Sequence, residues 1–214
     1  MRLPGIRRAR DPALVSRARL ILASASPRRR EILSALGISF EVVVPNVGEL
    51  TAGEPEHAVI ENARRKARAV LERVEAREPV LAADTEVVLD GRILGKAGDE
   101  GEARERLQSL SGRTHAVLSG LVVLMAAERG EPIERAGLAR SEVTFRELPS
   151  RLLDAYLASG EWRDRAGAYA VQGLGSTLVE RVDGDLSNVI GLPVSLLVEL
   201  VPELLDPAAD SRSQ

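Results

Sequence analysis

Three consecutive arginines, Arg28–Arg30, follow a turn of small residues, Ser24–Ser26. Ser26 and Pro27 are typical of a helix start, with serine at the N-cap and proline in the first helical position. A helix N-terminus already carries about half a positive charge, so cations there cost stability unless a bound anion reverses the local field. Guanidinium groups pair well with phosphate oxygens. The pattern therefore predicts a polyanion site, and the alternative is three solvated surface arginines.

A second candidate lies where Asp84 follows the apolar run 79–83. In open α/β sheets, ligands bind beyond the carboxyl ends of the strands. A carboxylate at such a position can hold a divalent cation or accept a proton from water. Lys96 lies on the return arm of a predicted hairpin, from which its ammonium group can reach a phosphate. The simpler alternative is that Asp84 caps a turn.

A helix predicted over Pro55 to Val74 supplies further charges. At 100° per residue its apolar residues share one face, and Arg65 and Arg68 point away from that face. Lys66 and Arg64 lie on the two opposite borders of the face. A basic residue on a border either extends along the surface to water or points into a site between elements. The projection alone does not choose between the two borders.

Glu49, in the loop before this helix, offers a second carboxylate. Several cations around one or two carboxylates indicate a metal-assisted reaction at phosphate or a protein that binds a phosphorylated ligand. The turn before the arginines is not a Walker A loop, because the Gly-x-x-x-x-Gly-Lys-[Ser/Thr] pattern is absent.

The composition disfavours several other classes of protein. The 214 residues include two histidines and no cysteine, which excludes disulfides, thiol nucleophiles and zinc sites built on cysteine. No apolar run reaches the 18 or so residues of a membrane span, so we expect no membrane partner and a cytoplasmic protein. The net charge of -3 and the aromatic content of 2% argue against a nucleic-acid partner, which would need cations and stacking platforms.

The elements that must position these residues predict an α/β fold with a mixed sheet. Predicted strands cover residues 18–24, 39–45, 79–96 (a hairpin turning at Asp90-Gly91), 114–128, 133–148 and 177–184. Predicted helices cover residues 27–36, 55–74, 99–110, 149–159 and 193–205, and the Gly-rich stretch 166–176 is predicted to be non-helical. The predicted domain organisation is a disordered extension over 1–17, a single domain over 18–205 and a tail over 206–214.

Four segments, in this order, resemble the Maf family of nucleoside triphosphate pyrophosphatases: LASASPRRREILSALG, ADTEVVLDGRILGK, LSGRTHAVLSG and AGAYAVQGLGSTLVERVDGDLSNVIGLP. The resemblance covers about residues 18–205. It implies a two-lobed α/β fold akin to inosine triphosphate pyrophosphatases, and a homodimer. It also implies hydrolysis of a nucleoside triphosphate to monophosphate and pyrophosphate with a divalent metal cation, Mg²⁺ or Mn²⁺.

The resemblance also implies roles for single residues. Asp84 matches the general base and, with Glu49, a metal ligand. The positions around the phosphates match Ser24, Arg28, Arg29, Lys66 and Lys96. Three positions that separate branches of the family match Arg28, Thr85 and Gln172.

Arginine, threonine and glutamine at those three positions resemble the branch that acts on dTTP and UTP. Another branch acts on 7-methyl-GTP, and its members look to have Trp at the position of Arg28. A methylated guanine is cationic, so it stacks on Trp and is repelled by an arginine. Gln172 can both donate to and accept from the imide edge of uracil or thymine.

Two residues depart from the family pattern. Gly48 stands where an aspartate commonly precedes the glutamate, which predicts weaker metal binding. Ala170 replaces a frequent glycine, which predicts a changed approach of that loop to the base. The alternative functions are a 7-methyl-GTP pyrophosphatase and a non-catalytic nucleotide-binding regulator of septum formation. A pure binding module would not need Asp84 beside the cations, so Asp84 favours an enzyme.

Overall fold

A computed structural model describes residues 20–74, 78–127 and 130–205. The strands are β1 (Leu20–Leu22), β2 (Phe40–Val42), β3 (Val80–Leu89), β4 (Arg92–Ile93), β5 (Thr114–Met125), β6 (Ile133–Phe145) and β7 (Val179–Asp183). The helices are α1 (Pro27–Ala35), α2 (Pro55–Leu71), α3 (Glu100–Leu110), α4 (Ser150–Ser159), α5 (Leu186–Ile190) and α6 (Val194–Leu200), with 3-10 turns at Gly173–Thr177 and Pro202–Leu205. The predicted N-terminal extension and C-terminal tail lie outside the described residues.

Seven strands form one mixed sheet in the order β2-β1-β3-β5-β6-β7, with β4 paired to β3. β1 runs parallel to β2 and β3, whereas β3, β5, β6 and β7 are antiparallel in turn. β1 pairs with only two residues of β3, Val80 and Leu81. β4 pairs with only two others, Val88 and Leu89. Between these contacts the β3 edge that faces away from β5 has no strand partner in the described chain. The sheet therefore has a gap at residues 83–86.

The two faces of β3 explain where the core lies. Residues with even numbers, such as Val80 and Ala82, pack under α2. On the other face, Leu81 and Ala83 pack with α1 and α6, whereas Val87 and Leu89 pack with α3 and α4. The polar run 84–86 belongs to none of these apolar clusters and interrupts the core at the gap. The apolar clusters on the two sides of this interruption lie on one sheet and correspond to the predicted two lobes.

Gly120 lets helix α2 lie unusually close to the sheet. It is the partner of Asp84 across the β3–β5 ladder. A Cβ added at Gly120 would lie 2.3 Å from the Val59 carbonyl oxygen, so no side chain fits there. This close approach brings the polar side of α2 next to Asp84.

The predicted mixed α/β architecture is confirmed. The hairpin turns at Asp90 and Gly91, whose φ angles of 51° and 75° match a type I′ turn. α4 ends at Gly160, which adopts a φ of 72°. No helix among the described residues is both long and apolar enough to cross a membrane.

Besides shifts of a few residues at the ends of elements, three details differ from the sequence prediction. Helix α5 was not expected, and it begins where the Asp185 side chain accepts a hydrogen bond from the Ser187 amide. The stretch predicted to be non-helical contains the 3-10 turn Gly173–Thr177. The last helix stops at Leu200, and a 3-10 turn follows it. Each of these pieces spans too few turns to show a helical period in the sequence.

Candidate active site

A cavity of about 600 Å³ opens at the gap in the sheet, beyond the carboxyl end of β1. Its walls come from the start of α1, the loop before α2, the open edge of β3, the β4 hairpin arm and a loop after α4. All nine residues that the motifs single out line it: Ser24, Arg28, Arg29, Glu49, Lys66, Asp84, Thr85, Lys96 and Gln172. The fold therefore gathers residues that are up to 148 positions apart (172 - 24) in one place.

Asp84 lies at the centre of a buried polar cluster. The residue is 4% exposed, and each of its carboxylate oxygens has a partner. Lys66 Nζ lies 2.6 Å from Oδ1, and Asn62 Nδ2 donates to Oδ2 at 2.9 Å. Lys66 Nζ also lies 2.6 Å from Glu49 Oε1. Glu49 Oε1 and Asp84 Oδ1 are therefore at most twice that distance apart. We call Glu49, Asn62, Lys66 and Asp84 the Asp84 centre.

Asp84 does not cap a turn. It lies in the interior of β3, which continues to Leu89 as the predicted hairpin requires. The pairing of β3 with β1 has already ended at Leu81, three residues before Asp84. The carboxylate is therefore fixed on a central strand and faces a cavity, which is a position suited to chemistry rather than to loop geometry.

Asn62 is a site residue that the sequence reasoning missed. It is 1% exposed, its Nδ2 also donates to the Leu50 carbonyl at 3.0 Å, and its Oδ1 accepts from the Leu50 amide at 2.7 Å. It thus ties the loop that carries Glu49 to Asp84. The signal was available, because Asn62 lies four residues before Lys66 and so on the same side of α2.

The structure resolves which border of α2 faces the site. Lys66 points into the cavity, whereas Arg64 pairs with Glu134 at 2.8 Å and with Glu61 at 2.8 Å. Arg65 pairs with Glu61 near the surface, and its side chain is 43% exposed. The predicted helical phase is confirmed, and the choice between Lys66 and Arg64 comes from the packing of α2 on the sheet.

The three arginines of α1 separate into different environments. Arg29 is buried, and its guanidinium donates to the Gly191 carbonyl at 2.8 Å and to Ser24 Oγ at 3.0 Å. Burial is the main cause that lowers the pKa of Arg29 below its usual value. Arg28 is half-buried at the cavity and donates to the Asp164 carbonyl at 3.1 Å. Arg30 is exposed and lies outside the cavity lining.

A network of hydroxyl groups lies beneath these arginines. Ser24 Oγ accepts from the Ser26 amide at 3.2 Å, while the Ser26 side chain itself makes no capping bond to α1. Thr85 Oγ1 lies 2.8 Å from Ser119 Oγ and accepts from Arg29 at 3.3 Å. Thr85 and Arg29 therefore brace β3 against α1. Two of the five guanidinium N–H groups of Arg29 are left for a ligand, because three are used by the protein.

Glu86 is a second residue that the sequence reasoning missed. It lies two positions after Asp84, on the same side of β3, and lines the cavity. Its Oε2 is buried without a hydrogen-bond partner among the described residues. Burial is the largest cause that raises the pKa of Glu86 to about 7, and the charges of Asp84 and Glu49 add to it. The cavity thus contains a third acid with a free oxygen.

Residues 163–172 form one wall of the cavity, which we call the 163–172 wall. Two of its non-glycine residues, Asp164 and Ala168, have positive φ angles of 56° and 59°. An isolated bridge between Lys96 and Ala166 joins the wall to the arm after β4. Gln172 is exposed at the end of the wall, and its side chain has no hydrogen bond within the described residues. Its amide is free for a ligand.

The donor set fits a hard divalent cation that arrives with a phosphorylated ligand. No group of three or more acidic, histidine or cysteine side chains in the described part of the chain can hold a metal alone. Mg²⁺, however, is usually bound by one or two carboxylates together with substrate phosphates. Glu49 and Asp84 meet that need, and the unpartnered oxygen of Glu86 lies beside them.

Comparisons with known proteins identify the family of this chain. A family model described as Maf-like protein matches residues 19–204. The chain belongs to the Maf family. Among similar proteins, the dTTP/UTP pyrophosphatase of Thermococcus gammatolerans is 48% identical over 85% of this chain and 94% of its own. The dTTP/UTP pyrophosphatases of Anaeromyxobacter sp. (46% identical, 86% and 88%) and Bacillus cereus (44% identical, 84% and 87%) are also similar.

Solved structures with some similarity include a nucleoside-triphosphatase (dITP/XTP pyrophosphatase) of Mycobacterium abscessus. It is 18% identical, with a TM-score of 0.43 over 75% of this chain and 82% of the other. A HAM1 protein of Coxiella burnetii has a TM-score of 0.39 over 58% and 72%. These likenesses are too distant to support an argument about this Maf protein.

Proposed function

We propose that this protein hydrolyses dTTP and UTP to the nucleoside monophosphate and pyrophosphate. The observation that carries the proposal is the Asp84 centre, in which a buried carboxylate is held by Lys66 and Asn62 and faces a cavity lined with cations. The names of relatives that are 44–48% identical over most of the chain support the same reaction and the same substrates.

In this proposal Asp84 is the general base. A water oxygen bonds to the α-phosphorus while the bond from that phosphorus to the bridging oxygen of the β-phosphate breaks. The proton of the water passes to the Asp84 carboxylate, and pyrophosphate leaves with the electron pair. Each carboxylate oxygen can accept more than one hydrogen bond, so the contacts with Lys66 and Asn62 still leave room for a water.

The cations of the cavity stabilise the negative charge of the triphosphate. Lys66 is held between two carboxylates, whereas Arg28 is half-buried and Lys96 is exposed. We expect Lys96, Arg28 and the two remaining N–H groups of Arg29 to contact phosphate oxygens, because charge-assisted bonds of this kind are strong. A divalent cation held by Glu49 and Asp84 would neutralise further charge on the phosphates.

Base selection is assigned to the 163–172 wall. Gln172 can donate and accept at the same time, which matches the imide edge of uracil and thymine. Arg28 at the cavity disfavours a cationic base such as 7-methylguanine, and this residue separates our proposal from 7-methyl-GTP hydrolysis. Because dTTP and UTP share the imide edge, the proposal predicts activity on both.

The products of UTP hydrolysis test the proposal. Purified protein with Mg²⁺ should convert UTP to UMP and pyrophosphate, detected by anion-exchange chromatography and mass spectrometry. UDP and orthophosphate would contradict the assignment. A preparation of the Asp84→Asn variant, purified in the same way, controls for contaminating phosphatases and should release no product above background.

The family resemblance also leads us to propose a homodimer in the cytoplasm, where nucleoside triphosphates are found. Light scattering on the eluting protein should give a mass of twice the 23.0 kDa chain. A mass of one chain at micromolar concentration would contradict the dimer and leave the proposed reaction untouched.

A further inference from the structure

Glu161 fastens the end of the 163–172 wall that carries Gln172. This glutamate lies directly after Gly160, the residue that ends α4. One of its carboxylate oxygens accepts from the Leu174 amide at 3.0 Å, and the other accepts from the Gly175 amide at 3.0 Å. Both oxygens are therefore used on the backbone of the 3-10 turn that starts immediately after Gln172.

Glu161 and α4 together hold the wall near both of its ends. Its backbone carbonyl accepts from Arg165 Nε at 2.7 Å, near the start of the wall. Near the other end, the Ala170 amide donates to Tyr156 Oη on α4 at 3.0 Å. Glu161 thus contacts the start of the wall with its backbone carbonyl and the turn that follows the wall with its carboxylate.

The turn that Glu161 contacts has glycine at two positions where a side chain would not fit. A Cβ added at Gly173 would lie 2.7 Å from Glu161 Oε1, and Gly173 has a φ of 65°. A Cβ added at Gly175 would lie 2.0 Å from the Ala170 carbonyl oxygen. A side chain at either position would push the turn away from the wall. The close approach of the carboxylate therefore depends on glycine at these places.

Gln172 depends on the neighbouring backbone for its position. Its amide makes no hydrogen bond within the described residues, and its side chain is exposed. Its position depends on the backbone on its two sides, and the carboxylate of Glu161 fixes the side that follows it. Movement of residues 173–175 would move Gln172 relative to the Asp84 centre, while the contacts of Asp84 would stay as they are.

We propose that Glu161 is a positioning residue for base selectivity, acting through Gln172. The inference rests on the proposed function, in which Gln172 reads the imide edge of a pyrimidine. Guanine offers the same pattern as uracil on its N1–H and O6 edge, but that edge lies farther from the ribose. Discrimination between UTP and GTP therefore depends on where Gln172 lies rather than on what it can bond.

The experiment compares kcat/KM for UTP and GTP on the wild type, Glu161→Gln and Glu161→Ala. We expect the UTP-to-GTP ratio to fall by roughly fivefold in Glu161→Ala, the equivalent of one lost hydrogen bond of about 1 kcal/mol. The decrease should be smaller in Glu161→Gln, which keeps one carbonyl oxygen. The kcat for UTP should stay within about twofold in both variants, because the Asp84 centre is unchanged.

Glu54→Ala is the matched control. Glu54 accepts two backbone N–H bonds at the start of α2, at 2.9 and 3.2 Å, and lies outside the cavity lining. The control should lose thermal stability as Glu161→Ala does but keep the wild-type ratio. Hydrogen exchange adds a readout independent of activity, since the Leu174 and Gly175 amides should exchange faster in Glu161→Ala and not in Glu54→Ala.

An unchanged UTP-to-GTP ratio in Glu161→Ala, with faster exchange of those two amides, would overturn the inference and leave the proposed hydrolysis standing. An equal fall of the ratio in Glu54→Ala would also overturn it, because the effect would then follow from general loss of stability. Absence of pyrophosphate release from every nucleotide would instead overturn the proposed function, and the inference with it.

Discussion

The Asp84 centre and the 163–172 wall border the same cavity but are built in different ways. Asp84, Lys66 and Asn62 lie on a central strand and a long helix, are buried, and are bonded to one another. The wall is a loop with non-glycine residues at positive φ, and its Gln172 is exposed and unbonded. One region is complete before a ligand arrives, and the other keeps its polar group free for the ligand.

This difference matches two separate tasks. A group that transfers a proton must be held within a fraction of an ångström of its working position, which packed helices and strands do best. A group that recognises a ligand must have unsatisfied hydrogen-bonding capacity, which a loop can present. We therefore expect substitutions in the Asp84 centre to change the rate and substitutions in the wall to change the choice of base.

The largest effect is expected from Asp84→Asn. Loss of a general base commonly lowers the rate about 10²- to 10⁴-fold, and the asparagine keeps the shape of the side chain. We expect kcat for UTP to fall within that range while nucleotide binding, measured by calorimetry, persists. A circular dichroism spectrum matching the wild type would show that the variant is folded. Near-normal turnover would remove Asp84 from the chemistry.

Lys66→Ala and Arg65→Ala form a matched pair on adjacent positions of α2. Lys66 contacts both carboxylates of the Asp84 centre, whereas Arg65 pairs only with Glu61 near the surface. Loss of a charged hydrogen bond costs about 1.5–3 kcal/mol, so kcat/KM should fall roughly 10- to 150-fold in Lys66→Ala. Arg65→Ala should stay within about twofold. Equal effects in steady-state kinetics would mean that α2 presents a different face to the cavity.

A buried histidine supports the wall and makes the stability of the protein depend on pH. His115 is 2% exposed, its Nε2 lies 2.8 Å from the Tyr169 hydroxyl, and burial lowers its pKa to about 4. In the unfolded chain it binds a proton near its ordinary pKa of 6.5. The stability that neutral His115 contributes is therefore complete above pH 6.5 and is lost as the pH falls towards 4, by up to about 3 kcal/mol.

Urea unfolding between pH 4 and pH 7 measures this dependence. The free energy of unfolding should fall more steeply with acid in the wild type than in His115→Gln, whose side chain can still bond to Tyr169. His57→Gln is the control at an exposed position and should follow the wild type. Parallel curves for wild type and His115→Gln would show that His115 does not titrate in this way.

The smallest rate effect is expected from Gln172→Ala, which should act on selectivity. Losing one contact to the base costs about 1–3 kcal/mol, or roughly 5- to 150-fold in preference. The ratio of kcat/KM for UTP to that for 7-methyl-GTP should fall more than kcat for UTP does. If the wild type itself prefers 7-methyl-GTP, the choice of branch is wrong although pyrophosphate release can stand.

Much of this architecture could be predicted because local signals were strong. The hairpin at Asp90-Gly91 and the long helix α2 are each marked by a pattern of neighbouring residues, a turn dipeptide in one and a helical period in the other. Helix α5, with five residues, carries no period and depends on the Asp185 side chain to start it. The gap in the sheet beside Asp84 also escaped prediction, because it arises from the short reach of β1 and β4.

The site residues that belong to sequence motifs were predicted. The residues that act through contacts with other parts of the chain were missed. Glu86 was visible in principle, since alternation along β3 places it beside Asp84. Asn62 could have been read from its spacing to Lys66. Glu161 could not, because its partners are the backbone N–H groups of Leu174 and Gly175, 13 and 14 residues away. Backbone partners leave no trace in side-chain patterns.

The central claim is that Asp84 directs water to the α-phosphorus, and hydrolysis of UTP in ¹⁸O-labelled water tests it most directly. The account predicts that, under single-turnover conditions, mass spectrometry finds one ¹⁸O atom in UMP and none in pyrophosphate. The same label should fail to appear in UMP with Asp84→Asn over the same time. Label found in pyrophosphate or in orthophosphate would place the attack on another phosphorus and contradict the account.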